Sequence, residues 1–124
     1  MFEKRIRLGN LFDFYGSLLT EKQQEILKLY CEHDFSLGEI SENLGISRQA
    51  VYDTIKRSRK ILNDYEEKLK LLAKFSNTRN SVNELINQID GLTNTINSDY
   101  EKSDILSEIE SMKRALLDIL DESL

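Results

Sequence analysis

Ser36-Leu37-Gly38-Glu39-Ile40-Ser41-Glu42-Asn43-Leu44-Gly45-Ile46-Ser47-Arg48-Gln49-Ala50-Val51-Tyr52-Asp53-Thr54-Ile55 is the stretch that decides how this chain folds. Ser36 and Glu39 have the spacing of a capping box, in which the serine hydroxyl accepts from a first-turn N–H and the glutamate reaches back to the serine amide. Leu37, Ile40 and Leu44 then line one face of a short helix, and Gly45 can take the left-handed conformation that stops it. Ile46 fills the turn, Ser47 caps a following helix, and Val51 opens that helix's apolar stripe. A short helix meeting a second one steeply across a three-residue turn is the anatomy of a helix-turn-helix. Thr54 stands where such units often keep an aliphatic side chain, and Ile55 covers the gap one step later.

Upstream, Leu8, Leu11, Phe12, Tyr15, Leu18 and Leu19 follow helical spacing and predict a first amphipathic helix that ends near Gly16. Thr20-Glu21-Lys22-Gln23 is another capping box, so a second helix starts there and buries Ile26, Leu27 and Tyr30. Downstream, Val51, Ile55, Leu62, Tyr65, Leu69 and Leu72 carry the fourth helix on to about Lys74. Residues 76 to 81, Ser-Asn-Thr-Arg-Asn-Ser, are polar and turn-prone and make the best domain boundary in the chain. Residues 1 to 75 are then a helix-turn-helix domain, and 76 to 124 an acidic helical tail for dimerisation or docking. In the tail, Val82, Leu85, Ile89, Leu92 and Ile96 form one narrow seam, and Ile105, Ile109, Met112, Leu116 and Ile119 another. Their registers do not connect across Asn97-Ser98-Asp99 to Ser103-Asp104, so the tail reads as a helical hairpin, or two helices meeting a partner.

Composition agrees with an all-α chain. Among 124 residues there is no proline and only five glycines, with 40% hydrophobic and 31% charged residues, which disfavours sheets and barrels. Cys31 is the only cysteine and His33 the only histidine, so neither an internal disulfide nor a Cys/His zinc cage can form, and no cofactor is expected. Met1-Phe2-Glu3-Lys4-Arg5-Ile6-Arg7 lacks the apolar core of a signal peptide, and no run is long enough to span a membrane. A cytoplasmic protein without membrane insertion is expected. The net charge of −5 is uneven: residues 1 to 75 hold 13 Lys/Arg and 12 Asp/Glu, residues 76 to 124 hold 4 and 10. Residues 48 to 60 hold five cations against Asp53, a local net of +4.

With Val51 at zero on a helical wheel, Ile55 and Leu62 fall within about 40°, while Gln49, Asp53, Lys56 and Lys60 gather near 180°. Tyr52 and Arg59 flank them on one side and Arg57 on the other. This is the composition of a groove reader. Arg48, Gln49 and Tyr52 are candidates for specific contact, and Ser47, Lys56, Arg57, Arg59 and Lys60 for phosphates, with Asp53 in the middle of the stripe. Catalysis is not expected. His33 lies between two acids at a helix end, Cys31 reads as a small half-buried apolar group, and the acidic pairs Glu66-Glu67, Glu108/Glu110 and Asp121/Glu122 point apart on their helices. Phe12 and Tyr15 read as core, and Phe14 lies off their stripe.

Asn10-Leu11-Phe12-Asp13-Phe14-Tyr15, Leu18-Leu19-Thr20-Glu21-Lys22-Gln23, Ser36-Leu37-Gly38-Glu39-Ile40 and Ser47-Arg48-Gln49-Ala50-Val51-Tyr52-Asp53 with Ile55-Lys56-Arg57 together resemble the YlxM family. Tyr65-Glu66 and Lys68-Leu69 extend that resemblance across the head, residues 1 to 75. More distantly, residues 20 to 62 look like region 4 of bacterial sigma factors. The fold implied is a sigma-region-4-like helix-turn-helix head with a long fourth helix and a C-terminal helical hairpin. The YlxM resemblance implies a small bacterial regulator encoded beside signal recognition particle GTPase genes, with components of that particle, or its RNA, as partners. The sigma comparison puts Arg48, Gln49, Tyr52 and Asp53 at groove-facing positions, although Tyr52-Asp53-Thr54 departs from the more basic or amide-rich sigma helix. Narrow tail seams predict a homodimer that presents two recognition helices together, the alternative being a hairpin packed on the fourth helix within one chain. The alternative is an adaptor that docks on a GTPase or another protein and binds no nucleic acid.

Overall fold

A computed structural model describes residues 2–96 and 102–123, and it is all-α. Helices α1 (Phe2–Tyr15), α2 (Glu21–Cys31), α3 (Leu37–Leu44), α4 (Arg48–Leu69), α5 (Leu71–Ile96) and α6 (Lys102–Ser123) follow in order, with a 3-10 turn at Gly16–Leu18. The described residues fall into two compact units, one up to Leu72 and the other from Ala73.

Local chemistry sets the helix ends in the first unit. Thr20 and Gln23 close a reciprocal capping box before α2, and Ser36 and Glu39 do the same before α3. Gly45 ends α3 at φ 67°, and Ser47 Oγ accepts from the Ala50 amide at 3.0 Å to start α4. Each N-cap of this kind contributes about 1 kcal/mol. Between α2 and α3, Asp34 takes the left-handed conformation at φ 56°, which aspartate tolerates better than most residues.

The core of this unit is Leu8, Leu11, Tyr15, Leu19, Ile26, Leu27, Ile40, Val51, Ile55 and Leu62, all at 6% exposure or less. Helix α4 is its spine and packs against α1, α2 and α3. Leu18 leaves the expected stripe and is 54% exposed. It lies in the 3-10 turn, whose three residues per turn rotate the side chain off the α-helical face. Gly16 is buried beneath the Phe12 ring, which a Cβ there would meet at 2.8 Å. Thr54 is half-buried and gives its hydroxyl to the Ala50 carbonyl, while Ile55 fills the contact.

Two arrangements hold the ends of this unit and have no counterpart in the apolar pattern. Arg5 lays its guanidinium on the Tyr30 ring, 4.0 Å from the centroid, and donates from Nη2 to the carbonyls of Tyr30 and Phe35. It thereby ties α1 to the last turn of α2, where a cation is favoured, and to the loop that leads to α3. The second lies where α4 stops. Tyr15 donates to Glu66 Oε1 at 2.6 Å, the Leu72 amide donates to the same oxygen at 2.9 Å, and the Leu71 amide donates to the Tyr15 hydroxyl at 3.0 Å. Burial and the Glu66 carboxylate hold the Tyr15 phenol above its ordinary pKa, against the opposite pull of the two amides.

The fourth helix therefore does not run to about Lys74. It ends at Leu69, because Lys70 turns left-handed at φ 56° and the next two amides are capped by Tyr15 and Glu66. Nor do residues 76 to 81 break the chain; they lie inside α5. None of them is glycine or proline, so only the modest helix-propensity costs of Ser, Asn and Thr oppose helix there.

In the second unit α5 and α6 run antiparallel, with Thr95 beside Asp104 and Ser111 at one end and Phe75 beside Glu122 at the other. Each expected seam is split. Leu85 is buried and Leu92, Ile105, Met112 and Ile119 are half-buried, whereas Val82, Ile89, Ile96, Ile109 and Leu116 remain exposed. The polar stretch separating the two registers lies partly outside the described residues.

Candidate nucleic-acid interface

Helix α4 divides its surface sharply. Val51, Ile55, Ser58, Leu62 and Glu66 are buried on one side. Ser58, fully buried, satisfies itself by donating to the Thr54 carbonyl at 2.7 Å. On the opposite side Gln49, Lys56, Arg57 and Lys60 are exposed, and Tyr52 is 47% exposed. The left-handed Gly45 turns the chain from α3 into α4, and α3 packs on the same side as Val51, which leaves the face with Gln49, Tyr52 and Lys56 uncovered.

The nine sequence candidates do not all share that surface. Ser47 is exposed at the helix start; its oxygen is engaged with the Ala50 amide, and its own O–H remains available to donate. Gln49 gives its amide to Asp53 Oδ1 at 3.0 Å, so the base-reading candidate and the acid in the stripe occupy one another. Asp53 itself is half-buried. Arg48 is exposed but folds back along α3, close enough that a Cβ on Gly38 would touch its Nε at 3.6 Å. Lys56, Arg57 and Lys60 extend into solvent beside Tyr52.

Arg59 turns away from this set. It is half-buried on the flank of α4, its Nε finds no acceptor, and it lines a cleft with Lys4 and Arg7 of α1. Lys4 and Arg7 are therefore cations that the sequence reading missed. The signal was present in the Lys4-Arg5-Ile6-Arg7 run, which is basic at helical spacing; what hid it was that α1 must pack on α4 before the two sets meet.

Other features offer less chemistry. Cys31 is half-buried, and burial pushes its thiol up to about 11 despite the nearby Arg5 and Arg59, which leaves little thiolate to act as a nucleophile. His33 is exposed, with its ring 6.2 Å from that of Phe35. A cleft of about 570 Å³ lies between α5 and α6 and is lined, among the described residues, by Thr95, Asp104, Ser107, Glu108 and Ser111, with no histidine, cysteine or lysine among them. Among the described residues no group of three His, Cys, Asp or Glu side chains could hold a metal ion, and no helix is long and apolar enough to cross a membrane.

Comparison with known proteins agrees with this geometry. Residues 2–105 match the family UPF0122, described as helix-turn-helix protein, YlxM / p13 like. The UPF0122 protein YlxM of Bacillus subtilis is 46% identical over 112 residues, which is 90% of this chain and 96% of that protein. A UPF0122 protein of Desulforamulus reducens is 44% identical over 116 residues, 94% of this chain and 92% of its own length. One from Halalkalibacterium halodurans is 53% identical over 90 residues, 73% of this chain and 83% of its own. With a helix-turn-helix built around Gly45 and a match of this extent, the chain belongs to the UPF0122 family of YlxM-like helix-turn-helix proteins.

Proposed function

We propose that this protein is a non-catalytic nucleic-acid-binding regulator of the cytoplasm, in which α4 enters a groove or lies along a phosphate backbone. The observation that carries the reading is the projecting face of α4, with Lys56, Arg57 and Lys60 exposed opposite a fully buried Val51 and Leu62. Gln49 and Tyr52 supply specific contact, and Ser47, Lys56, Arg57 and Lys60 neutralise or bond phosphates. Arg48 and Asp53 act at the edge of this surface, the first packed along α3 and the second orienting Gln49. The YlxM resemblance supports a role in the signal recognition particle pathway. A-form RNA has a major groove too narrow for a helix, so contact with that particle's RNA runs through phosphates and loops.

The tail supports a homodimer. On α5 the exposed Val82, Ile86 and Ile89 lie about 100° around the helix from the inward-facing side, and on α6 Leu106, Ile109 and Leu116 are displaced by a similar angle in the same sense. In antiparallel helices that shared rotation brings both stripes out on one side of the hairpin. A second copy offers the same paired stripe and completes a four-helix bundle.

The test is binding of duplex DNA and of signal recognition particle RNA at two salt concentrations. Arg57→Ala with Lys60→Ala is expected to weaken binding and to flatten its salt dependence by about 0.9 in log-log slope for each phosphate no longer neutralised on B-DNA. Unchanged binding sinks the reading. The Gln49 to Asp53 hydrogen bond favours a second one, an adaptor that docks on protein, because it occupies the amide that would read a base. A pull-down from cells of origin that yields protein but no nucleic acid, with nuclease making no difference, selects the adaptor.

A further inference from the structure

Beside the projecting face of α4, a cleft of about 220 Å³ opens between α1 and α4. Leu8 and Leu11, each 1% exposed, give it an apolar side. Lys4 and Arg7 overlook it one turn apart on α1, and Arg59 and Asn63 one turn apart on α4. Arg7 Nη2 reaches Asn63 Oδ1 at 3.4 Å. The Arg59 Nε is buried and has no hydrogen-bond partner. Buried donors in native proteins are satisfied almost without exception, so an orphan in a cleft points to an acceptor that arrives from outside.

The lining fixes the sign of that acceptor. Among the described residues, three of the six lining side chains are cationic and none is acidic. A guanidinium fork suits a group with two oxygens on one atom, which both carboxylates and phosphates provide. Position selects between them. Arg59 lies ten residues beyond Gln49, about 15 Å along the helix axis, on the flank next to Lys56. The B-DNA major groove is about 12 Å wide, so nucleic acid that seats the first turns of α4 brings its phosphate rim to this distance. A lone carboxylate would satisfy Arg59 without using the cations that continue from Lys56 and Lys60 through Arg59 to Arg7 and Lys4.

We propose that the cleft between α1 and α4 is a phosphodiester site. It holds one backbone phosphate of the nucleic acid whose bases face Gln49 and Tyr52, with Arg59 and Arg7 as donors and Lys4 supplying further positive charge. The site rests on the nucleic-acid reading of α4, and adds to it a second element, α1, that fixes the angle of approach. Contact of this kind carries no base identity.

The experiment uses the full chain, a labelled duplex of unrelated sequence and a labelled hairpin RNA, read by fluorescence anisotropy across a salt series. Arg7→Gln with Arg59→Gln is expected to weaken binding about threefold to tenfold on either probe, and on the duplex to reduce the log-log salt slope by about 0.9, the equivalent of one phosphate released. Arg59 is half-buried, so Lys4→Gln with Arg7→Gln, both exposed, is measured in parallel and is expected to shift binding in the same direction. Nitrogen-15 spectra that follow the Arg59 Nε–H separate a polymeric phosphate from a free one. Movement on adding the duplex, with far less at the same concentration of inorganic phosphate, supports the proposal. Equal movement with inorganic phosphate, together with unchanged duplex affinity in the variants, overturns it in favour of a small-anion site. Wild type and variants binding alike with the same slope overturns it while the α4 face stands. If neither probe binds the wild type, both readings fall.

Discussion

The two units use the same kind of amphipathic helix and finish differently. In the first, Leu8, Leu11, Ile26, Leu27, Ile40, Val51 and Leu62 are all at or below 1% exposure. In the second, Leu85 is the one large apolar side chain among the described residues to reach full burial, at 7%, while Ile89, Ile96, Leu116 and Leu120 stay at 52%, 60%, 54% and 60%. A helix in the first unit meets neighbours from three directions, whereas α5 and α6 each have a second apolar stripe beyond the one they bury. The head closes its own core, and the tail leaves large apolar side chains exposed.

Truncation of the core sharpens that contrast most strongly. Leu62→Ala empties space at the centre of a packed cluster and is expected to cost about 2–5 kcal/mol in denaturant unfolding. Ile89→Glu removes nothing that is buried within one chain, so head unfolding is expected to stay unchanged. Light scattering, however, should give the mass of two chains for the wild type and that of a single chain for this variant. A wild type that already scatters as a single chain at micromolar concentration breaks the comparison, because the exposed stripe then has no second copy to meet.

The junction at Lys70 comes next in size. Glu66→Ala removes the acceptor of both Tyr15 and the Leu72 amide, and the cost of leaving buried donors unpaired is about 1–3 kcal/mol. Tyr15→Phe takes the acceptor from the Leu71 amide alone, while Glu66 keeps the Leu72 amide, and is expected to cost less. The raised Tyr15 pKa adds a sign that can be checked. A phenol whose folded pKa lies above 10.0 contributes stability that is fully present below pH 10.0 and lost as pH rises through the folded value. The wild-type melting temperature should therefore decline in that alkaline window more steeply than that of Tyr15→Phe; parallel declines would remove the phenol from the account.

How much of this was legible in the sequence follows from how local each determinant is. Thr20 with Gln23, Ser36 with Glu39, Gly45 and Ser47 act on amides within a few residues, and each sits where its spacing predicts. The stop after Leu69 depends on Tyr15, 56 residues away from the amide it caps, so no window of sequence around Lys70 contains it. The diversion of Arg59 needs α1 packed against α4, and a helical wheel of α4 alone places it on the flank beside Tyr52 with nothing to show that Lys4 and Arg7 meet it there. In the tail, Leu85 and Ile89 share one heptad seam, and periodicity does not separate the half that is buried within the chain from the half that stays exposed.

The smallest effects test the two helix ends against each other. Gly45 and Lys70 both end a helix in the left-handed conformation, at φ 67° and 56°, but only glycine adopts it without a steric cost. For an L side chain that cost is roughly 1–2 kcal/mol, and the smaller freedom of alanine in the unfolded chain offsets roughly 0.4–1 kcal/mol of it, so Gly45→Ala is expected to destabilise by about 0.5–1 kcal/mol. Lys70→Gly relieves the same cost, and the greater freedom of glycine in the unfolded chain returns roughly 0.4–1 kcal/mol of it. A net stabilisation of about 0.5–1 kcal/mol is expected, measured by denaturant unfolding of both variants beside the wild type. Opposite signs are the diagnostic result. Should Lys70→Gly destabilise, Lys70 is not strained at this corner, and the α4 to α5 break would have to be held by Tyr15 and Glu66 alone.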